Sequence, residues 1–293
     1  MQGMSALTGK IGKNYVMFST MVSAAVILII ITILFVNSLD ALRQTGWKLF
    51  TLDWNPPKAK FGILSMLYGS AMVTLCALVL AAPLGLFTAI FTSEMLPVRY
   101  RLHVKSLLEL LAGIPSIIYG LIGVAFLSVW LGDFFDLSSG RTIFTAGILL
   151  AIMILPTIIT LSDDALHNVP EKYREAARGL GLYRYEVIKT AVLPIAKADI
   201  SGAVLLALGR ALGETMAVML VIGSIDKIPS PVFNVLVPGQ TITSKLGREM
   251  AETAFGSQHF SAMIFMGLLL LVIVLLLTVI AQHYFNPEQR LYE

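Results

Sequence analysis

Six long apolar stretches constrain what this chain can fold into more than any other feature. A helix needs about 20 mostly apolar residues to cross the hydrocarbon core of a bilayer. The stretches lie at about 15–36, 64–91, 106–131, 142–161, 200–223 and 262–284. Of the 293 residues, 57% are hydrophobic and only 13% are charged, which is the balance of a membrane protein. We therefore predict an all-α integral membrane protein with six transmembrane helices.

The composition argues against several other classes of protein. A single cysteine, Cys76, excludes an internal disulfide, and four scattered histidines offer no paired metal ligands. There is no G-x-x-x-x-G-K-[ST] motif, so we expect no ATP hydrolysis by this chain itself. An intramembrane enzyme would need a nucleophile–base or metal cluster, and the sequence suggests none. A small net charge of +3 makes nucleic acid an improbable partner.

Basic residues in the connections predict the orientation of the chain. Lysine and arginine concentrate in the connections 92–105 and 162–199, and connections rich in these residues stay in the cytoplasm. This places both termini in the cytoplasm and segments 37–62 and 224–261 outside. Within the latter, 243–255 is predicted to form a short amphipathic helix. The first stretch is too long for a cleaved signal peptide, so we expect it to remain as a helix.

The apolar stretches differ in character. The second, third and fifth are rich in Gly, Ala, Ser and Pro, residues that allow helices to approach closely or to bend around a pathway. The first and sixth consist mostly of large aliphatic residues. We predict that helices two to five form the inner set and that helices one and six face lipid.

The connection 162–199 has helix signals of its own. Asn168 is a suitable N-cap and Pro170 suits a first helical turn, so a short helix is predicted to end near Gly179 or Gly181. A second short helix is predicted at about 183–192, ended by Pro194. Ala176, Ala177 and Leu180 are predicted to give the first short helix one small, smooth side, flanked by Arg174, Arg178 and Arg184. Such a surface suits docking into a groove on a partner.

This connection resembles the EAA loop of ABC-importer permeases. The resemblance rests on Glu175-Ala176-Ala177, Gly181 and Leu193-Pro194, although Ala191 stands where the family usually has isoleucine. It implies the type I ABC-importer permease fold and a coupling loop at 163–198 that fits into an ATPase subunit. The coupling residues that it implies are Glu175, Ala176, Ala177, Arg178, Leu180 and Gly181.

Further motifs resemble the C-type permease subunits of the phosphate-specific (Pst) ABC importers. They are WNP at 54–56, YGS at 68–70, APLG at 82–85, SE at 93–94, ELLAGIPS at 109–116 and GRALGETMA at 209–217. The resemblance implies a permease core at 63–285, preceded by a helix and loop at 1–62 and followed by a tail at 286–293. It implies inward transport of inorganic phosphate across the bacterial cytoplasmic membrane. The implied partners are an A-type permease subunit, an ATPase dimer that binds ATP and Mg, and an extracytoplasmic phosphate-binding protein. No cofactor is expected in this chain.

Arg210 and Glu214 lie in the middle of the fifth apolar stretch. A charge at the centre of a membrane helix costs about 2.5–3.5 kcal/mol, whereas an i, i+4 ion pair returns only about 0.2–0.5 kcal/mol in water. We therefore predict that both line an anion pathway, with Glu214 neutralising Arg210 in the absence of substrate and competing with phosphate for it. The alternative is a structural ion pair that holds helix five against its neighbours.

Four weaker candidates complete the predicted pathway. Glu109 is read as a buried acid near the start of helix three, which either belongs to the pathway, lines an inner vestibule or caps a helix end. Ser116, Tyr119 and Thr215 are read as neutral hydrogen-bonding groups. Two alternative functions stay open. One is a permease for molybdate, tungstate or sulfate, which would share the coupling loop. The other is an ion-coupled secondary transporter, which would leave that loop unexplained and for which we see no inverted repeat.

Overall fold

The computed structural model of the chain is almost entirely helical and describes residues 2–285, with side chains described at 13, 15–97 and 99–280. The predicted tail at 286–293 lies outside the described residues. Within them the α-helices are α1 (Gln2–Thr45), α2 (Leu64–Ile90), α3 (Val98–Ala112), α4 (Ser116–Ile122), α5 (Ser128–Phe134), α6 (Ile143–His167), α7 (Glu171–Gly179), α8 (Arg184–Val187), α9 (Leu193–Gly213), α10 (Met216–Val221), α11 (Ile242–Glu249) and α12 (Gln258–Phe285). Two short antiparallel strands, β1 (Trp54–Asn55) and β2 (Lys60–Phe61), precede α2.

The prediction of six membrane-spanning helices is confirmed. Three wide π-helical turns, at Phe91–Met95, Gly123–Leu127 and Ile188–Val192, extend α2, link α4 to α5 and link α8 to α9. Counting these extensions, six helices in the described range are long and apolar enough to cross a membrane. They are Tyr15–Phe50, Leu64–Met95, Ser116–Phe134, Ile143–His167, Arg184–Gly213 and Gln258–Ile280.

The predicted start of the third helix is wrong. The stretch 106–131 divides at Gly113 and Pro115, and its first part belongs to the separate helix α3. Pro115 has no N–H to donate and disfavours a helical conformation in the residue before it. The chain therefore leaves α3 at Gly113 and starts α4 at Ser116.

The connection after α6 forms α7 as predicted, but two of its predicted boundaries are wrong. Asn168 caps the end of α6, where its N–H bonds to the carbonyl of Asp164 at 3.0 Å, and Pro170 immediately precedes α7. The second short helix does not stop at Pro194. Pro194 lies directly after the π turn Ile188–Val192, and α8 continues through that turn into α9.

α6 is the central helix of the bundle. Two thirds of the most apolar 18-residue segment of α6 is buried, whereas none of the corresponding segment of the first span and 17% of that of the last span is buried. Glycines bring α2 close to it: a Cβ on Gly85 would lie 2.6 Å from Ile158, and one on Gly147 would lie 2.7 Å from Cys76. α1 and α12 pack on each other and expose most of their aliphatic side chains. This agrees with the predicted inner and outer sets.

At the end of the bundle away from α7 and α8, a charged cluster ties the loops together. α11 forms inside the segment predicted to be an amphipathic helix. Its Lys245 is only 4% exposed and donates to Asp226 at 2.6 Å and to Glu249. Glu249 also accepts from Trp54 Nε1 at 3.0 Å, and His259 Nε2 lies 3.2 Å from its carboxylate. The cluster thus joins β1, the loop after α10, α11 and α12.

Replacing Lys245 with methionine is expected to lower the free energy of unfolding by about 3–5 kcal/mol, because two largely buried carboxylates would lose their cation. The measurement is thermal unfolding of the purified permease in detergent. Lys60→Met is the matched control, since Lys60 pairs with Asp53 at 3.0 Å but the two side chains are 55% and 70% exposed. That change should cost less than about 1 kcal/mol. Equal losses in the two variants would show that the buried cluster does not stabilise this end.

Candidate functional site

The fifth apolar stretch, 200–223, is interrupted beside its two charged residues, Arg210 and Glu214. α9 ends at Gly213 and α10 begins at Met216, with Glu214 in an extended conformation (φ −68°, ψ 122°). Backbone groups freed within a membrane need other partners. Here the carbonyl of Glu214 accepts from Thr243 Oγ1 at 2.8 Å, and its Oε1 accepts from the N–H of Ala217 at 3.3 Å. The prediction of one continuous helix over 200–223 is therefore wrong.

The break also separates Arg210 from Glu214. The two residues do not lie one turn apart on one helix face. Among the described side chains, no ion pair within 4.0 Å joins Arg210 to Glu214. Arg210 is exposed and donates from Nη1 to Thr157 Oγ1 on α6 at 3.3 Å. A structural Arg210–Glu214 pair is thus not formed in this conformation. An exposed guanidinium within a span must face water, a partner or a ligand rather than lipid tails.

Glu214 lies beside a small polar cavity between α2 and the segment before α11. The cavity is lined in part by Ser70, Thr74, Glu214, Thr241 and Thr243. Ser70 Oγ accepts from the N–H of Ile242 at 2.9 Å, which fixes this segment against α2. Thr74 and Thr243 are both buried. Four alcohol side chains beside one carboxylate provide neutral hydrogen-bonding groups next to the helix break.

The weaker candidates occupy different surroundings. Glu109 lies on the exposed side of α3 and not in the interior, so its reading as a buried acid is wrong. Because the helix breaks before Ser116, Glu109 belongs to the separate helix α3 and not to the third span. Ser116 starts α4, and the Tyr119 hydroxyl donates to the carbonyl of Leu111 at 2.9 Å, across that break. Thr215 follows Glu214 at the α9–α10 break and is partly exposed.

The two helix breaks belong to neighbouring helices. α4 packs against α10, and a Cβ on Gly120 would lie 3.0 Å from the Cα of Ala217. Glycine is required for an approach this close. The structure therefore places Tyr119 on α4 close to Thr215, which caps the start of the adjoining helix α10. In the described part of the chain, no hydrogen bond or ion pair links Glu109 with Arg210.

The α7–α8 segment projects from the opposite end of α9. Gly181 has φ +80°, a left-handed conformation that favours glycine, and its N–H bonds to the carbonyl of Arg178 at 2.9 Å. Five of the six predicted coupling residues are exposed, with Leu180 at 82%. They are Glu175, Ala176, Arg178, Leu180 and Gly181. Ala177 is instead buried against α6 and α8, so Ala176 and Ala177 do not share one smooth outer face.

Sequence reasoning missed the ion pairs that fasten α3 to α6. Arg101 donates to Asp163 Oδ2 at 2.7 Å, Thr92 donates to Asp163 Oδ1 at 3.0 Å, and Lys105 donates to Asp164 at 2.9 Å. Two signals were present: basic residues at i, i+4 on an amphipathic stretch, and adjacent acids after an apolar run. They point to a helix lying against the end of the bundle.

The chain matches known proteins over most of its length. The family model described as "Binding-protein-dependent transport system inner membrane component" matches residues 81–291. The phosphate transport system permease protein PstC of Mesorhizobium japonicum is 37% identical, covering 91% of this chain and 88% of its own. PstC of Pasteurella multocida is 38% identical, covering 83% and 81%.

Solved structures share the fold at low sequence identity. The chain resembles a chain of the bacterial alginate ABC transporter in complex with an alginate pentasaccharide-bound periplasmic protein, with a TM-score of 0.61, 16% identity and coverage of 94% and 95%. It also resembles the inward-facing MetNI methionine ABC transporter, with a TM-score of 0.59, 16% identity and coverage of 80% and 98%. These likenesses confirm the ABC-importer permease fold.

Sequence, fold and the apolar spans agree on a multi-pass inner-membrane protein. The chain belongs to the family of binding-protein-dependent transport system inner membrane components, and within that family to the PstC-like phosphate permeases.

Proposed function

We propose that this chain is the transmembrane permease subunit of an ATP-driven importer that carries inorganic phosphate inward. Relatives that cover most of the chain are named phosphate transport system permeases. The observation that carries the proposal is Arg210, an exposed guanidinium at a helix break within an apolar span. An anion that passes this point can accept hydrogen bonds from it.

The chemistry of the break suits phosphate better than sulfate or molybdate. Arginine stays charged and donates several hydrogen bonds in a planar fork that matches phosphate oxygens. Glu214 supplies a carboxylate, which only accepts hydrogen bonds. Hydrogenphosphate has a proton to donate to it, whereas sulfate and molybdate have none at neutral pH. Among the described side chains, Glu214 forms no ion pair with Arg210 in this conformation. Competition between Glu214 and phosphate for Arg210 therefore belongs to another state of the transport cycle.

The coupling assignment places the ATPase at the α7–α8 end. We infer that Glu175, Ala176, Arg178, Leu180 and Gly181 face an ATPase subunit, because all five are exposed on one short projection. Ala177 anchors that projection to the bundle. In this proposal the α7–α8 end and both termini lie in the cytoplasm. ATP and Mg are bound by the ATPase dimer, and this chain holds no cofactor.

Two further partners complete the importer. An A-type permease subunit pairs with this chain, and the exposed leucines of α3, at 65% for Leu102 and 68% for Leu110, offer apolar surface for it. A phosphate-binding protein delivers the anion at the α11 end. Closure of the ATPase dimer moves α7 and α8, and the helices then open the pathway toward that end. This is alternating access driven by a rigid-body movement.

The proposal is tested by uptake of radiolabelled phosphate into proteoliposomes that contain both permease subunits and the ATPase. ATP is enclosed and the loaded binding protein is added outside. We expect uptake that requires ATP and persists in an excess of sulfate or molybdate. Preferential transport of sulfate or molybdate would overturn the choice of substrate. Uptake driven by a proton gradient without ATP would overturn the importer class.

A further inference from the structure

Two arginines of the α7–α8 segment converge on one residue of α2. Glu94 lies in the π turn that extends α2. Arg174 of α7 donates from Nη2 to Glu94 Oε1 at 2.8 Å, and Arg184, the first residue of α8, donates to the backbone carbonyl of Glu94. Both short helices are thereby tied to the same end of α2.

The Arg174–Glu94 pair is buried and tightly specified. The side chains are 9% and 11% exposed. The guanidinium also donates to the carbonyl of Leu166 in the last turn of α6, at 2.8 Å, and to that of Val169 just after α6. A planar group held by a carboxylate and two carbonyls has little freedom to rotate. Movement of α7 must therefore carry the ends of α2 and α6 with it, or break a buried charge pair.

From its contact with α7 and α8 at Glu94, α2 extends to the polar cavity beside Glu214. Its residues Ser70 and Thr74 line that cavity. From Thr74 to Glu94 a helix with a rise of 1.5 Å per residue spans about 30 Å. Along this length α2 packs closely on α6, as Gly85 shows by its contact with Ile158. Closely packed helices shift as bodies and do not deform continuously.

We propose that Glu94 is the joint through which movement of α7 and α8 is passed to α2, and by α2 to the helix break at Glu214. Glu94 acts as a positioning residue and touches no substrate. The inference rests on the proposed function, in which an ATPase subunit docks on the α7–α8 segment.

The test compares phosphate transported per ATP hydrolysed in the reconstituted importer. Glu94→Gln should still assemble and hydrolyse ATP, but the ratio should fall by about fivefold or more, the lower range of typical coupling between sites. Glu252→Gln is the matched control. It neutralises an exposed carboxylate at the α11 end, away from α7 and α8. A Glu94→Gln ratio equal to wild type, or an equal fall in both variants, overturns the proposal.

A second variant keeps the test valid if Glu94→Gln fails to assemble. Arg184 is exposed, so Arg184→Gln should not disturb folding, yet it removes the other tether to Glu94. The transport-to-hydrolysis ratio should fall by about twofold or more, as expected for loss of one hydrogen bond. An unchanged ratio overturns the proposal.

A distance measurement separates failure of the joint from failure of the proposed function. Spin labels at Leu75 of α2 and Val272 of α12, both exposed, are introduced in a Cys76→Ser background. Their separation should change when the ATPase binds a non-hydrolysable ATP analogue, and should change less in Glu94→Gln. Equal changes in both proteins, or no change in wild type, contradict the joint alone. Failure of the ATPase to bind wild-type permease contradicts the proposed function, and the joint with it.

Discussion

Replacing Arg210 with glutamine is expected to lower ATP-driven phosphate uptake by about tenfold to a hundredfold, because a hydrogen bond to a charged group is worth about 1.5–3 kcal/mol. The side chain is exposed and makes one hydrogen bond, to Thr157, so the fold should tolerate the change. Glutamine retains a donor but has no charge and no planar fork for phosphate. The measurement is uptake by proteoliposomes normalised to the amount of assembled complex.

Lys197→Gln is the matched control for this prediction. It removes a positive charge from the same helix, at an exposed position near the α7–α8 end and away from the break. Uptake by this variant should stay close to wild type. Near-normal uptake by Arg210→Gln would show that Arg210 is not part of the phosphate pathway.

Replacing Ala176 with tryptophan is expected to abolish ATPase binding and to reduce phosphate uptake to background. Ala176 is exposed on α7, whereas its neighbour Ala177 packs inward, so the larger side chain projects outward and leaves the core intact. Interfaces are packed nearly as densely as protein interiors, and a bulky group in a close contact prevents docking. The measurement is the amount of ATPase that co-purifies with the permease.

The same substitution at Ala254 provides the control for steric effects in general. Ala254 is exposed at the α11 end, away from the α7–α8 segment. Ala254→Trp should leave co-purification of the ATPase unchanged. Normal ATPase binding by Ala176→Trp would show that α7 is not the docking surface.

Much of the fold can be predicted from the average hydrophobicity of long stretches of the sequence. Six apolar stretches predicted six spans, since burial of a helix in a bilayer depends on its total hydrophobicity and little on its neighbours. α7 was predicted from proline and glycine at its two ends. Gly181 does take the left-handed conformation that its position after the helix suggested.

Other features depend on contacts that a single sequence does not display. Pro115 interrupts a helix while Pro194 begins one, and the difference lies in the π turn that precedes Pro194. The break at Glu214 is stabilised by Thr243, 29 residues further along the chain. Hydropathy alone cannot reveal such partners, so the fifth stretch looked like one helix.

The spatial arrangement of the candidate site residues could be predicted from the sequence only in part. Arg210 lies near the end of the fifth span and Glu214 lies just after it, and the helix break turns a predicted pair into two separate groups. Glu109 lies on an exposed face and not in the interior, because α3 is a helix separate from the third span. The Arg174–Glu94 pair joins residues 80 positions apart, and no local pattern could have matched them.

We expect phosphate to pass the helix break and to be bound there by Arg210. Cryo-electron microscopy of the assembled importer, trapped with phosphate and with a non-hydrolysable ATP analogue, tests this most directly. We predict phosphate density with its oxygens about 2.7–2.9 Å from the guanidinium of Arg210. Phosphate density at another position within the membrane, with the Arg210 side chain packed against protein, would contradict the account.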